Sequence, residues 1–320
     1  MFSLRSQNDD GTVHHTPQQD HVGRAIAWLL MGVTGGLGLD LCAKELLQTY
    51  SLQEFVLMRS VFGVVIFLSL ASRLFGGFRM LQTHRWKWHL LRTALATGAM
   101  FGFFYGLSKM PLVNALTLGF TAPLMVTALS VPFLGEHVGW RRWAAVVVGF
   151  IGTLIILRPG GGDFNFASVA ILIAAFCYAC QAISARYLTT ESMLSLSVYV
   201  VAGPMIIAAG LMNVDKWLAP DAKGWLLFAG AGICSVIAWV GFIKGYRGSS
   251  PVILAPFEYT ALIGGAIAGY LIWGEVPDRW VLVGAATIIA SGLYVVYREI
   301  GLRPATFQDE KKRASGPFST

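Results

Sequence analysis

Apolar stretches of about twenty residues recur along nearly the whole chain and are separated by short polar connections. A helix rises about 1.5 Å per residue, so a stretch of this length can cross about 30 Å of hydrocarbon. Backbone groups without hydrogen bonds are too costly in lipid, so each stretch is predicted to be helical. The pattern predicts ten transmembrane helices, at residues 24 to 47, 52 to 74, 88 to 108, 112 to 132, 140 to 158, 166 to 188, 194 to 213, 223 to 246, 251 to 273 and 279 to 299.

The second half of the chain repeats the first at an offset of about 140 residues. The matches include residues other than common apolar ones, and they occur in the same order: Pro111 with Pro251, Trp140 with Trp280, Gly152 with Gly292, Arg158 with Arg298, and, one residue out of step, Gly135-Glu136 with Gly274-Glu275. In the two Gly-Glu pairs each Gly is predicted to end a helix and each Glu to lie at a membrane boundary, which is a structural role. Each half contains five predicted spans, an odd number, so the second copy must be inverted in the membrane. The fold class predicted is an all-α membrane protein built from two inverted five-helix repeats, at residues 24–158 and 166–299.

The two ends of the chain and the loop charges predict an orientation. Residues 1–23 and 300–320 are polar and are predicted to be disordered cytoplasmic tails. Lys and Arg are concentrated in the loops on the side of the N-terminus; the other side has only Lys44, Lys109, Arg158, Lys216, Lys223 and Arg279. This asymmetry predicts that both termini are cytoplasmic. The net charge of +7 is therefore a topology signal, and no nucleic-acid partner is predicted.

Composition points to the same environment. The chain is 55% hydrophobic and only 13% charged, more apolar surface than a soluble domain of 320 residues can bury. The connections are too short for a catalytic domain outside the membrane, so the function must reside among the helices. All four cysteines lie in predicted spans, where small core residues are expected, and no metal site or cofactor is predicted.

Charged residues inside the predicted spans are candidates for function, because ionised groups in hydrocarbon are costly. Asp40 lies about seven residues inside the outer end of the first span, and Arg59 lies at a similar depth in the second. The two side chains could form a purely structural pair. Alternatively, Arg59 could anchor a substrate, because a guanidinium can hold a carboxylate or phosphate with two parallel hydrogen bonds. Both interpretations remain open at this point.

A third charge, Glu258, has no cation near it in the sequence. Gln181 and Trp239 fall at a comparable depth and Tyr259 adjoins it, which suggests a polar, aromatic-lined pocket in the second repeat. Burial favours the neutral form of a carboxylic acid, the property that a proton-coupled carrier uses, so protons are a candidate partner. The alternative for Glu258 is a hydrogen-bonded structural role. In the first repeat, Tyr105 is a candidate for the central cavity, with an aromatic core position as the alternative.

Several motifs resemble the drug/metabolite transporter superfamily, specifically its ten-helix EamA type. They are LGFTAP at residues 118–123, LGE at 134–136, GFIGTLIILRP at 149–159, APFEYT at 255–260 and SGLYVVYRE at 291–299, and the resemblance covers nearly all of residues 24–299. It implies two EamA repeats around a central substrate cavity, alternating access and a bacterial inner membrane. The APFEYT segment resembles members that carry riboflavin-like or other aromatic metabolites, which would make Glu258 and Tyr259 lining residues.

These observations predict a secondary transporter that moves a small organic metabolite, of the amino-acid, nucleotide-like or flavin-like class, by alternating access. A drug or metabolite efflux pump of broad specificity is the alternative. A membrane enzyme is disfavoured because the chain has no HExxH or GxSxG motif and its histidines are predicted to lie in tails or boundary loops. Glycines at four-residue spacing, as at Gly98, Gly102 and Gly106, favour close packing within one chain over a dimer seam, so a monomer and a homodimer both remain possible.

Overall fold

The computed structural model describes residues 17–74, 83, 85–135, 139–158, 165–185, 187–188, 191, 193–213, 215, 217–249 and 251–314. Within these ranges the chain is helical and has no strand, and seven helical stretches are long and apolar enough to cross a membrane. The helices are α1 (Pro17–Leu46), α2 (Leu52–Leu74), α3 (Trp86–Leu107), α4 (Leu112–Gly119), α5 (Ala122–Leu134), α6 (Trp140–Leu157), α7 (Phe166–Ala185), α8 (Met193–Leu211), α9 (Ala222–Gly248), α10 (Pro251–Glu258), α11 (Thr260–Trp273) and α12 (Arg279–Ala314). The predicted all-helical class is confirmed.

Two of the predicted spans are broken helices. The span predicted at 112–132 is α4 followed by α5, and the span predicted at 251–273 is α10 followed by α11. At each break a threonine hydroxyl donates a hydrogen bond to the carbonyl oxygen three residues earlier. Thr121 donates to Leu118 at 2.7 Å, and Thr260 donates to Phe257 at 2.6 Å. If each broken pair is counted as one span, the described helices form ten units. Broken helices at membrane depth are tolerated where they face protein or a cavity.

The helix ends agree with the sequence at some places and differ at others. Gly135 and Gly274 close α5 and α11 in the left-handed conformation, with φ of 65° and 67°, as predicted from glycine's freedom to adopt positive φ. Helix α1 begins at Pro17 and α12 continues to Ala314, so the helices extend into both segments predicted to be tails. Residues 1–16 and 315–320 of those tails, and the predicted boundary residue Glu136, lie outside the described residues.

The two halves of the chain pack mainly against each other. The pairs in contact include α1 with α9, α3 with α7, α2 with α8 and α9, and α6 with α12. Helices α1 and α9 meet backbone to backbone, since a Cβ added to Gly241 would lie 2.4 Å from the backbone nitrogen of Gly32. A Cβ on Gly102 would likewise lie 2.8 Å from the carbonyl oxygen of Ala170 in α7. These predicted small-residue contacts therefore pack helices within the chain.

The bundle has two ends, which differ in the residues they carry. Successive helices joined by short connections run antiparallel, so α1 begins and α9 ends at one end, called here the termini end. Helix α1 ends and α2 begins at the other, called here the far end. At the far end Ser51 and Glu54 form a reciprocal cap on α2: the Ser51 backbone N–H donates to the Glu54 carboxylate at 2.7 Å, and the Glu54 N–H donates to the Ser51 hydroxyl at 3.2 Å.

Candidate functional site

Near the far end lies a buried ion pair in which both charged groups also form hydrogen bonds with the backbone. The Lys44 ammonium pairs with the Glu275 carboxylate and also donates to the carbonyl oxygen of Met110, at 3.2 Å. The second carboxylate oxygen of Glu275 accepts from the backbone N–H of Leu112, at 2.9 Å, where α4 begins. The ammonium also lies 5.1 Å from the ring centroid of Trp273. The pair joins α1, α4 and α11 and is structural, the kind of role predicted for Glu275, whereas the partnership of Lys44 was missed.

Asp40 lies one helical turn deeper than Lys44 on α1, and the next charge, Arg59, lies on α2. Arg59 is 6% exposed, its Nη1 lies 3.1 Å from the Met100 sulfur, its guanidinium lies 5.7 Å from the Phe104 ring centroid, and its Nε is buried without a hydrogen-bond partner. Asp40 is half-buried and interacts electrostatically with Arg59. Within the described residues no ion pair of 4.0 Å or less connects them. The structure therefore leaves two opposite charges near each other, each able to accept another partner.

Glu258 lies at the break between α10 and α11. It is half-buried, and its charge acts on the phenol groups of Tyr178 and Tyr259, while the described part of the chain supplies it with no hydrogen bond or cation. Seven residues separate it from the start of α10 at Pro251, which places it ~10 Å from the termini end. Asp40 lies about the same distance from the far end, so Glu258 and the Asp40–Arg59 pair lie at different depths in the bundle. Tyr178 of α7 was missed, because nothing in the sequence connects it with α10.

The two helix breaks face each other through an aromatic pair. The rings of Phe120 and Tyr259 have centroids 5.0 Å apart at an angle of 32°. The Tyr259 hydroxyl lies against α12, since a Cβ added to Gly292 would be 2.2 Å from it. Phe120 and Tyr259 occupy equivalent positions of the two repeats, at an offset of 139 residues, which is that of Gly135 and Gly274. The sequence identified Tyr259 as a lining residue and missed Phe120.

The other predicted site residues are Gln181, Trp239 and Tyr105, and no described hydrogen bond joins them to the Asp40–Arg59 pair or to Glu258. Gln181 in α7 is 8% exposed, and no described hydrogen bond joins its side chain to Glu258. Trp239 packs in an aliphatic cluster whose buried members are Val201 and Val236. Tyr105 is 44% exposed and lies outside the core clusters of the described residues. These three residues therefore remain predictions, and the structure adds no contact that supports a shared pocket with Glu258.

At the termini end a buried polar cluster joins α3 to the segment before α8. His89 is 3% exposed, its Nε2 lies 3.4 Å from the Glu191 carboxylate, and its ring packs on Tyr199 with centroids 4.7 Å apart. Burial raises the pKa of Glu191, but hydrogen bonds from Thr83 and His89 outweigh it and hold the pKa below its ordinary value. His89 thus lies in α3, which corrects its predicted place in a boundary loop. A buried arginine of α3, Arg92, has two nitrogens without a hydrogen-bond partner and was also missed.

Comparisons with known proteins agree with this architecture. The model of the EamA-like transporter family matches residues 24–158 and 165–298. The S-adenosylmethionine uptake transporter of Rickettsia bellii (strain RML369-C) is 31% identical over 278 residues, which cover 86% of this chain and 94% of that protein. The riboflavin transporter of Vibrio cholerae serotype O1 is 32% identical over 247 residues, which cover 76% and 82% respectively.

More distant similarities extend the same picture. The pseudopaline exporter CntI of Pseudomonas aeruginosa (strain UCBPP-PA14) is 26% identical over 269 residues, which cover 79% of this chain and 89% of that protein. A crystal structure with 16% sequence identity superimposes with a TM-score of 0.63 over 87% of this chain and 99% of its own, which shows a shared fold. The family match covers most of the chain, and the relatives are named as transporters rather than enzymes. The chain belongs to the EamA-like transporter family and is a multi-pass membrane transporter of small metabolites.

Proposed function

We propose that the chain carries a metabolite with a zwitterionic amino-acid head group and an aromatic base, of the S-adenosylmethionine kind, across the bacterial inner membrane. The observation that carries the proposal is the unpaired state of Asp40 and Arg59, which lie near each other without an ion pair. Buried charges are ordinarily paired, so a carboxylate and a guanidinium held apart are suited to a ligand that supplies both missing charges.

An amino-acid head group has the complementary charges. Its carboxylate would accept two hydrogen bonds from the Arg59 guanidinium, and its ammonium would donate to Asp40. The sequence alone offered conflicting cues, since Arg59 suits an anion and the acidic residues suit a cation. A zwitterion satisfies both. Relatives named as S-adenosylmethionine uptake transporters support this choice of ligand class.

The aromatic part of the ligand would lie deeper, toward the helix breaks. Phe120 and Tyr259 present adjoining rings from the two repeats, and an aromatic base gains contact area and stacking energy there. Glu258, one residue before Tyr259, could accept a hydrogen bond from an exocyclic amine. The two charged sets lie ~10 Å apart in depth, taken from about 30 Å of hydrocarbon with each set ~10 Å from its own end. A nucleoside joined to an amino acid is long enough to reach both.

A flavin is the second candidate, favoured by the same aromatic pair and by relatives named as riboflavin transporters. A riboflavin molecule has a larger aromatic ring system and no charged head group. It would therefore leave Asp40 and Arg59 without partners, at the cost of burying both charges uncompensated. The two candidates make opposite predictions for substitutions at Arg59.

We further propose that the two halves are inverted repeats that work by alternating access. The helix contacts support this, because exchanging the halves maps α1–α9 onto α3–α7 and α2–α9 onto α3–α8. The pairs α2–α8 and α6–α12 map onto themselves. Such a pattern is expected of a pseudo-twofold axis in the membrane plane, with a site at the repeat interface. The charge asymmetry supports cytoplasmic termini, and the termini end is then the cytoplasmic end.

Countertransport in proteoliposomes tests the ligand class. Vesicles that contain the full chain are loaded with unlabelled S-adenosylmethionine, and the uptake of labelled S-adenosylmethionine is measured with riboflavin, methionine or adenosine as competitors. We expect saturable exchange that requires both the amino-acid and the nucleoside parts of the ligand, and an exchange rate in Arg59→Met that is at least tenfold lower. Exchange of riboflavin that is unaffected by Arg59→Met, together with no exchange of S-adenosylmethionine, would establish the flavin candidate instead.

A further inference from the structure

A cavity at the termini end has no part in the proposed transport site. It lies between the start of α1 and the end of α9, has a volume of about 300 Å³, and is lined by Arg24, Ala25, Trp28, Lys244, Arg247 and Gly248. Three of the six lining residues are cations and one is a tryptophan. The three cationic side chains therefore give the cavity the charge of an anion site.

The close contact between α1 and α9 forms this cavity. A Cβ added to Gly248 would lie 2.9 Å from the Cβ of Ala25, and one added to Gly245 would lie 3.2 Å from the carbonyl oxygen of Ala25. The two backbones are thus in contact up to the last turn of α9, and Ala25, 2% exposed, forms the floor. The Lys244 ammonium lies 4.0 Å from the ring centroid of Trp28, which fixes one cation over one wall.

Among the described side chains, no acid compensates the cations of the cavity. No carboxylate of the described residues forms an ion pair with Arg24, Lys244 or Arg247. Elsewhere in the same structure cations do have such partners: Lys223 pairs with Glu45, at 2.6 Å, and Lys44 pairs with Glu275. Like charges held around one cavity repel each other, so an anion bound there would relieve the repulsion as well as gain contacts.

The depth of the cavity points to the chemistry of that anion. Arg24 lies two residues after the start of the span Val22–Leu46, and α9 ends at Gly248. Tryptophan and long cationic side chains at the end of a span lie at the level of the lipid head groups. Basic pockets between helices at this level match the phosphates of anionic lipids. We infer that the cavity between α1 and α9 binds a phosphate group at the membrane surface.

A phospholipid head group and a soluble phosphate could both supply this chemistry. The test uses the full chain in nanodiscs that contain phosphatidylcholine with or without phosphatidylglycerol, and native mass spectrometry counts the retained lipids. The site variant is Lys244→Gln/Arg247→Gln. The matched control is Lys87→Gln/Arg141→Gln, which removes two cations from the same end that also lie over tryptophan rings, Lys87 at 5.8 Å from Trp86 and Arg141 at 5.4 Å from Trp140.

We expect the site variant to bind phosphatidylglycerol roughly 10- to 30-fold more weakly, because each basic residue near a lipid surface contributes ~1 kcal/mol, whereas the control changes less than threefold. Charge-preserving Lys244→Arg/Arg247→Lys should retain binding, which separates loss of the site from loss of the fold. Equal losses in the site and control variants, or no loss in either, would overturn the inference. Displacement of the retained lipid by millimolar inorganic phosphate would support the phosphate site and show that soluble phosphate also occupies it, whereas a lipid that is lost from the site variant and is not displaced by phosphate would identify the lipid head group as the source.

Discussion

Two charges one turn apart on α1 are treated differently by the rest of the molecule. Lys44 pairs with Glu275 and also donates to a backbone carbonyl, so its charge is satisfied. Asp40 has a guanidinium near it but no ion pair or hydrogen bond among the described residues. The comparison teaches that a charge inside a membrane protein is informative through its partners. A satisfied charge fastens helices together, and an unsatisfied one is available to a ligand.

Removing a charge is expected to change the free energy of unfolding in opposite directions at these two places. Removing one member of a satisfied buried pair leaves the other as an uncompensated charge, which is strongly destabilising. Removing a charge that has no partner relieves a cost that the folded protein already bears. Stability and transport should therefore respond in opposite ways to substitutions at the two places.

The largest effect is expected for Lys44→Met. This change leaves the Glu275 carboxylate, whose side chain is 17% exposed, without its cation, and we expect a loss of about 3–5 kcal/mol of stability. Thermal unfolding of the purified protein in detergent measures it. The double variant Lys44→Met/Glu275→Met should recover most of the loss, because no buried charge remains. If the double variant is as unstable as the single one, the pair is not what fastens these helices.

Arg59→Met should affect transport and leave stability intact. A ligand carboxylate held by charge-assisted hydrogen bonds contributes about 1.5–3 kcal/mol, so we expect uptake of S-adenosylmethionine to fall roughly 10- to 150-fold. The thermal unfolding temperature should stay the same or rise, since a buried guanidinium with an unpartnered Nε is removed. A fall in the unfolding temperature of the size seen for Lys44→Met would show that Arg59 is structural.

Glu258→Gln should have a smaller effect and a different one. The amide keeps the size of the side chain and much of its hydrogen bonding but cannot carry a proton, so we expect uptake driven by a pH gradient to fall roughly tenfold. Exchange at equal pH on both sides should be nearly unchanged, and it serves as the control. Uptake that responds to the gradient as in the parent protein would remove Glu258 from proton coupling.

The smallest effect is expected for Asp278→Asn at the far end. Burial raises the pKa of Asp278, but hydrogen bonds from the Val281 N–H and from Arg158 outweigh it, so the pKa lies below its ordinary value. The charge therefore stabilises the fold at neutral pH, and this contribution is lost as the pH falls through the folded-state pKa. The side chains of Arg158 and Asp278 are 28% and 51% exposed, so the loss of stability in Asp278→Asn should stay below about 1 kcal/mol. Unfolding curves recorded from pH 7 downward should show the difference between the variant and the parent protein shrink as the pH falls.

Local features of the fold were predictable where a single residue type decides them. Gly135 and Gly274 end their helices because glycine adopts positive φ without a steric penalty. Pro123 and Pro256 predict a bend in each of these spans, because proline removes a backbone donor. The full breaks at Phe120 and Tyr259 were not predicted, since each span has the length and composition of one continuous helix. A helix break in lipid depends on neighbours that shield the freed backbone groups, and those neighbours are distant in sequence.

The residues of the candidate site also divide into those that the sequence predicted and those that only tertiary contacts revealed. Asp40, Arg59 and Glu258 were found because charge is rare inside apolar spans, which is a property of sequence. Lys44 was read as a loop charge, since its partner Glu275 lies 231 residues away. Phe120 was missed for a related reason: an aromatic residue among other apolar residues carries no signal until its ring meets Tyr259. Sequence reasoning therefore identified the rare residues and missed the ordinary ones that tertiary contacts select.

The sequence by itself determined that this chain crosses a membrane many times as helices, because lipid cannot hydrogen-bond an open backbone and the apolar stretches have the required length. It also determined which charges enter the membrane. Only the tertiary structure decided which of those charges are satisfied, because partners such as Lys44 and Glu275 come from helices far apart in the chain. Their separation in space, rather than their identity, distinguishes a structural pair from a site that can bind a ligand.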